Sequence, residues 1–331
     1  MTTPATPTAP STPSAPDSST AAHTPVPPTG EQYVLHHDGA HGPVEATIVE
    51  VAAGLRALTV DGHELVQPYA ETRTPPWAAG IVLAPWPNRV RDGRWVHNDA
   101  AQQLDITEVD KNNAIHGLLR NTPYRLVERA TDSVTLGAAI VPQHGWPFRL
   151  WTTVTYTLTG NGIRVTHEAT NQGSERAPFA VGAHPFIRVG DHDVETLTIT
   201  ARTLEHVIVD ARLNPVGFEP AEGSHDLREG RVISSLELDD AWKVGRDDDG
   251  MIRTVLSAPD GSETEVWQDG DWEWLQVFIT RQFAAPSGDM VTAVAIEPMT
   301  APADALNSGL GLRWLEPGES WSGGWGICRP A

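Results

Sequence analysis

An all-β fold, one large antiparallel β-sandwich, is what this 331-residue sequence predicts, and three observations predict it. From Gln32 onward, short segments rich in β-branched and aromatic residues alternate with Gly, Asn, Asp and Pro at a steady rhythm. No long stretch carries apolar residues at a 3.6-residue period. Residues 153–172, TVTYTLTGNGIRVTHEATNQ, read as two alternating runs joined at Thr159-Gly160-Asn161-Gly162, the pattern of a tight hairpin.

The elements follow in order. Residues 1–30 are rich in Pro, Thr, Ser and Ala and hold almost no bulky apolar side chain. Such a segment cannot bury enough surface to offset its conformational entropy, so it is expected to be a disordered tail. With no Lys or Arg before Arg56 and no apolar central run, it is not expected to act as a signal peptide. Residues 31–331 are expected to form a single domain. Its strands are YVLHHD, EATIVEV, LRALTV, YRLVERA, SVTLGAAIV, LWTTVTYTLTG, GIRVTHEAT, TLTITA and WLQVFIT. A division into two all-β domains near residue 175 is the alternative. A last strand, VTAVAIEPMT at 291–300, ends in one carboxylate, Glu297, and Pro298 is expected to stop its pairing.

Composition narrows the partners. Lys and Arg number 23 against 43 Asp and Glu, a net charge of −20, and the only lysines are Lys111 and Lys243. Such a surface repels nucleic acid and anionic membranes. A single cysteine, Cys328, excludes an internal disulfide framework. No apolar run approaches the ~20 residues that span a bilayer. A cytoplasmic monomer or homodimer acting on a small molecule is the resulting expectation. No pair of histidines has convincing ligand spacing, and no nucleotide-binding or nucleophile-elbow motif occurs, so neither metal nor cofactor is expected.

Five stretches break apolar β sequence with polar groups. LAPWPNRVRDGRW, 83–95, carries Asn88, Arg89 and Arg91; NNAIHGLLRNTPY, 112–124, carries His116. FAVGAHPFIRV, 179–189, sets His184 before Pro185; LELDDAWKV, 236–244, holds Asp239 and Asp240; VTAVAIEPMT holds Glu297. Taken singly, each reads most simply as a surface turn or a structural ion pair. Together they are the strand ends of a sandwich that can converge on one pocket. His and Glu are the side chains best suited to moving protons near neutral pH. The 12 Trp add apolar platforms that suit the C–H faces of neutral sugars, although most of them are expected in the core. Asp269, Asp271 and Glu273 in WQDGDWEW read as solvated charge rather than as a glycosidase pair.

In that order, PWPNRVRDGRW, NAIHGL, HGWPFRLWTTVTYTL, GAHPFIRV, LDDAW and VAIEPMTAPADALN resemble the motifs of the aldose 1-epimerase (galactose mutarotase) family, from about residue 32 to 329. The resemblance implies a β-supersandwich, a cofactor-independent isomerase and a hexose in an open cleft. It assigns Glu297 as general base and His184 as general acid. Arg89, His116, Asn88 and Asp239 would bind the sugar, with Asp240 as the alternative to Asp239. Exchanging anomers requires removal of the anomeric hydroxyl proton and protonation of the ring oxygen. A Glu raised toward ~6–7 and a His near ~6.5 suit such reversible transfers, each contributing ~10²–10⁴-fold. Pro185-Phe186 and Pro298-Met299 stand where the best-known mutarotases carry more polar residues, which leaves the sugar open. The alternatives are a hexose-6-phosphate 1-epimerase, using Arg91, Arg120 and Arg188 for the phosphate, and a sugar-binding protein without catalysis.

Overall fold

The computed structural model describes residues 1–3, 25–40 and 42–330, so most of the expected tail lies outside the described residues. Its last few residues belong to the fold. Thr29 is buried and its carbonyl accepts a hydrogen bond from the Val51 amide (3.0 Å).

Two large antiparallel sheets face each other. The nine-stranded sheet runs in the order Arg125–Arg129, Ser133–Ile140, Leu150–Thr159, Gly162–Asn171, Ser320–Cys328, Glu263–Gln268, Ile252–Ser257, Thr198–Ala201, Arg231–Val232. Strands from both sides of residue 175 are hydrogen-bonded neighbours in it, so a cut there would separate paired strands. The expected hairpin forms with Thr159 opposite Gly162 across a Gly160-Asn161 turn. Along Leu150–Thr159, buried and half-buried residues alternate without a break, as a strand with one face on a core requires.

The eight-stranded sheet runs Pro215–Pro220, Thr203–Val209, Asp239–Val244, Trp274–Ala284, Met290–Met299, Gly182–Ala183, Val82–Leu83, and Phe186–Ile187 also pairs with Met290–Met299. Val277, Ile279, Val294 and Ile296 of its central strands join Val154, Tyr156, Val165 and Ile327 of the facing sheet in one hydrophobic core. A smaller four-stranded sheet, Gln32–Gly39 through His63–Glu64, packs against Leu150–Thr159 and Gly162–Asn171, and the Tyr156 hydroxyl donates to the Ala53 carbonyl (2.7 Å). The one α-helix among the described residues is a single turn, Ala305–Ser308.

One expectation fails here. Pro298 does not end its strand, which continues to Met299 with Pro298 opposite Leu275. The Ile296 and Thr300 amides donate across the other edge, to the Pro185 and Val181 carbonyls (3.1 and 2.9 Å). Pro298 lies between them on that edge, where the pairing is already irregular. Its missing N–H therefore leaves the ladder to Trp274–Ala284 intact.

Candidate active site

Alternation along the two central strands creates the site. Leu275, Val277, Ile279, Val294 and Ile296 point into the main core. Their neighbours Gln276, Phe278 and Glu297 line a cavity of about 540 Å³ on the opposite face. Gln276 stands opposite Glu297, and Phe278 stands opposite both Ala295 and Asp239 on its two neighbouring strands. The small Ala293 and Ala295 precede Glu297 on this face, so the carboxylate emerges above a low apolar floor.

The remaining groups arrive on turns. His184 follows the two-residue Gly182–Ala183 strand, and its backbone is pinned on both sides: the Gly80 amide donates to its carbonyl (2.7 Å), and its own amide donates to Ile81 (3.2 Å). Asn88 and Arg89 enter where Arg89–Arg91 pairs with Asn113–Ile115, and His116 is the next residue of the second strand. His116 has φ +64°, a conformation uncommon for a residue with a side chain. Gly117 behind it has no substitute, because a Cβ there would lie 2.1 Å from the Ala84 carbonyl oxygen. Asp304, beyond Glu297, clamps the Arg89–Arg91 strand. Its amide donates to the Arg89 carbonyl (2.6 Å) and its Oδ1 accepts from the Arg91 amide (3.0 Å).

His184 Nε2 lies 3.3 Å from Glu297 Oε1, and both side chains are almost fully buried. The His116 ring meets His184 edge-on at 5.5 Å. A chain of hydrogen bonds crosses the rest of the floor: Asn88 Nδ2 donates to Gln276 Oε1 (3.0 Å), and Gln276 Nε2 donates to Asp239 Oδ1 (2.8 Å). Arg89 Nη2 stands 3.7 Å from Asp239, while Arg89 Nε and Nη2 grip Glu108 at 2.9–3.1 Å. Several buried polar atoms have no partner within the protein: Glu297 Oε2, His184 Nδ1, His116 Nδ1 and Arg120 Nε. Unpaired buried polar atoms of this kind are costly, and four of them border one cavity.

Burial sets the protonation states. It drives Glu297 well above the usual carboxylate range; the Asp239 charge adds to the rise and Arg89 opposes it. It pulls His184 down to about 4, assisted by the charges of Arg120 and Arg89 and opposed by its backbone hydrogen bond. His116 also falls well below its ordinary value, through burial, His184 and the same arginines. The expectation of a histidine near its free value therefore does not hold. Burial therefore disfavours the charged form of both partners, the imidazolium of His184 and the carboxylate of Glu297.

All six expected site residues, Glu297, His184, Arg89, His116, Asp239 and Asn88, line this one cavity. Asp240 does not, because neighbouring strand residues face opposite ways and its carboxylate meets His206 on the other side of the sheet (2.8 Å). Of the three arginines expected for a phosphate, only Arg120 lines the cavity. Arg91 reaches Asp210 and the Pro215 carbonyl, and Arg188 pairs with Glu64. Among the tryptophans only Trp77 faces the cavity, half exposed and 5.6 Å from the Phe278 ring. Trp86, Trp95 and Trp146 pack together in the core. Asp271 and Glu273 instead pair with Arg313 and Arg246. Sequence reading missed Glu108, Gln276 and Phe278. Gln276 and Phe278 sit in WLQVFIT, where the sole signal is a Gln inside an apolar strand; Glu108 lies in a polar loop with no signal.

Comparison with known proteins gives concordant findings. The sequence profile described as Aldose 1-epimerase matches residues 32–327. The uncharacterised protein YihR of Escherichia coli K12 is 32% identical over 284 residues, covering 85% of this chain and 88% of that protein. Two solved structures share the fold. The GalM/aldose epimerase homologue from C. elegans has a TM-score of 0.78 at 18% identity, covering 91% of this chain and 99% of that one. A galactose mutarotase-like protein from Clostridium acetobutylicum has a TM-score of 0.76 at 17% identity, covering 91% and 98%.

Proposed function

The chain belongs to the aldose 1-epimerase family, and from that premise we propose that it interconverts the α and β anomers of a neutral hexose by acid–base ring opening and reclosure. The observation that carries the reading is the buried Glu297–His184 pair, 3.3 Å apart in the cavity.

The pair holds one exchangeable proton. In the resting site it favours Glu297, since burial penalises the charged form of both groups. Moving it to His184 leaves the pair's total charge unchanged and yields a carboxylate beside an imidazolium. Glu297 then takes the anomeric hydroxyl proton while His184 protonates the ring oxygen, and the C1–O5 bond opens to the aldehyde. Rotation about the C1–C2 bond exposes the other face of the carbonyl. Reclosure runs the two transfers in reverse and restores the pair. No oxidation state changes, so the reaction requires no redox cofactor. Arg89, held by Glu108, presents its charge near the developing oxyanion. His116, Asn88 and Asp239 bind ring hydroxyls, and the Trp77 and Phe278 faces receive the C–H side of the sugar.

The test is anomer exchange of freshly dissolved α-glucose and α-galactose, followed by polarimetry or NMR with wild type and with Glu297→Gln. Acceleration by wild type alone supports the reading. Equal acceleration by the variant removes Glu297 as the base. Sugar binding seen by calorimetry without faster exchange favours a binding protein.

A second reading rests on Arg120, whose buried Nε is unpaired, together with Lys111 on the cavity wall. These cations fit a hexose 6-phosphate. The dispersal of Arg91 and Arg188 and the net charge of −20 weigh against it. Comparing turnover of a sugar with that of its 6-phosphate separates the two. A glycosidase is disfavoured: Asp239 and Glu108 are both engaged by Arg89, and the group facing Glu297 is a histidine.

A further inference from the structure

Behind the cavity wall, on the opposite face of the Asp239–Val244 strand, lies a second group of histidines and carboxylates. His206 is buried, and it stands opposite Glu219 on one neighbouring strand and Trp242 on the other. The 3₁₀ turn Gly223–His225 brings His225 alongside, and its ring stacks on His206 at 3.7 Å and 14°. That turn is tied down by the buried Trp242, whose Nε1 donates to the His225 carbonyl (2.9 Å).

Each carboxylate faces both rings. Glu219 Oε1 lies 3.1 Å from His206 Nδ1 and 4.0 Å from His225 Nδ1. Asp240 Oδ1 lies 2.8 Å from His206 Nε2 and 3.9 Å from His225 Nε2. A neutral imidazole has one N–H, so it can donate to one of its two carboxylates and turns a lone pair on the other. For His206, whose two contacts are both within hydrogen-bond distance, a divalent cation on the Glu219 side would use that lone pair, and His225 would supply a second. The ion would take the two Nδ1 lone pairs and the Glu219 oxygen, leaving each Nε2–H for Asp240. A carboxylate that orients a ligating histidine through its other nitrogen is the usual support of such a site.

We propose that His206, His225 and Glu219 bind a divalent metal ion of the zinc class, with Asp240 as the orienting carboxylate. Two imidazoles and one carboxylate suit Zn²⁺ better than Mg²⁺ or Ca²⁺, which prefer oxygen. The three ligand atoms lie within 4.8 Å of one another. Zinc bonds of about 2.0–2.2 Å require the ligand atoms to draw in by roughly 1 Å, and because the ion must lie in the plane of each imidazole, the His225 ring must also tilt out of its stack on His206. Glu219 and His225 supply that movement, with side chains 48% and 33% exposed, while buried His206 stays fixed. The exposed side leaves a fourth position for water. The ion would tie the edge hairpin and the 3₁₀ turn to the strand whose next residue, Asp239, faces the cavity. Asp240 Oδ2 already accepts the Asp239 amide (3.2 Å).

The experiment uses untagged full-length protein, freed of metal with a chelator and titrated with ZnCl₂ by calorimetry. His225→Ala and Glu219→Gln, at partly exposed positions, are the first variants because His206 substitutions risk the fold. One tight equivalent per chain is expected, weakened about 100-fold or more by either variant and ~10–100-fold by Asp240→Asn. Circular dichroism of each variant should match wild type. Cobalt substitution should give the intense visible bands of a four-coordinate site, lost in His225→Ala. Absence of a tight equivalent in wild type, unchanged affinity in both variants, or displacement by equimolar MgCl₂ would each overturn the proposal.

Discussion

Two clusters of histidine and carboxylate lie back to back across one strand, and they are built from the same residue types for different ends. In the cavity, Glu297 and His184 touch each other and leave their remaining polar atoms without protein partners. In the edge cluster, every His206 nitrogen already meets a carboxylate, and Glu219 stands half in solvent. Burial is the difference. Where it is complete, both charged forms are penalised and a proton is easily passed between the groups. Where it is partial, side chains can move and solvent can reach the group, which suits holding a cation in place. Residue type therefore says little about role; what counts is which atoms are left unpaired and how dry they are.

The largest expected break between the clusters is in turnover. Glu297→Gln should lower anomer exchange by ~10²–10⁴-fold, while Glu219→Gln leaves it at wild type, both measured by polarimetry. The same pair should diverge in stability. Glu297 is raised in the folded state, so its ionisation opposes folding at every pH above its unfolded value of 4.5. Glu297→Gln should consequently raise the melting temperature at pH 7, a gain paired with lost function; an unchanged or lower value would contradict the desolvation argument.

The pH profile sharpens the cavity side. A second proton enters the pair only below about pH 4, because burial lowers His184 to that value. Exchange should hold level from pH 7 down toward 4 and then fall about tenfold per unit; a fall starting near 6.5 would mean a hydrated His184. Stability should behave differently. His184 and His167, lowered to about 4 and about 3, stay neutral in the fold while the unfolded chain protonates at 6.5. The histidines therefore lower stability as pH drops below 6.5 while relief of the Glu297 penalty raises it, so Glu297→Gln should steepen the fall of melting temperature over that range.

Asp239→Asn and Asp240→Asn divide the two faces of the strand. The first removes a charge partner of Arg89 and should reduce kcat/KM by roughly 10–100-fold, since hydrogen bonds to charged groups contribute about 1.5–3 kcal/mol. The second should act on metal uptake instead. Smallest is Trp77→Ala, which removes an aromatic face at the cavity mouth and should raise KM about 2–10-fold with kcat preserved.

Much of this architecture is visible in the order of residues. Alternation in Leu150–Thr159 and the Gly-Asn turn after it specify the hairpin and its register through local geometry alone. The polar interruptions at Asn88-Arg89, His116, His184 and Glu297 stand out because each costs free energy inside apolar sequence unless something there uses it. Glu108 stands out in no such way, since a glutamate in a polar loop is ordinary, and only the folded chain brings it to Arg89. Pro298 misleads because sequence does not say which edge of its strand it faces. The edge cluster escapes notice for a related reason: His206, Glu219, His225 and Asp240 come from three strands and a turn, with no ligand spacing to read.

The all-β class, the hairpin, the acidic surface and the residues that break apolar strands follow from periodicity, turn chemistry and charge, which act over a few neighbouring positions. The direction each strand faces, the pairing of His184 with Glu297, the depth that shifts their protonation and the choice between Asp239 and Asp240 depend on packing between segments tens to hundreds of residues apart. Alternation makes it certain that one of two adjacent aspartates enters the cavity; the sheet on which their strand lies makes it Asp239.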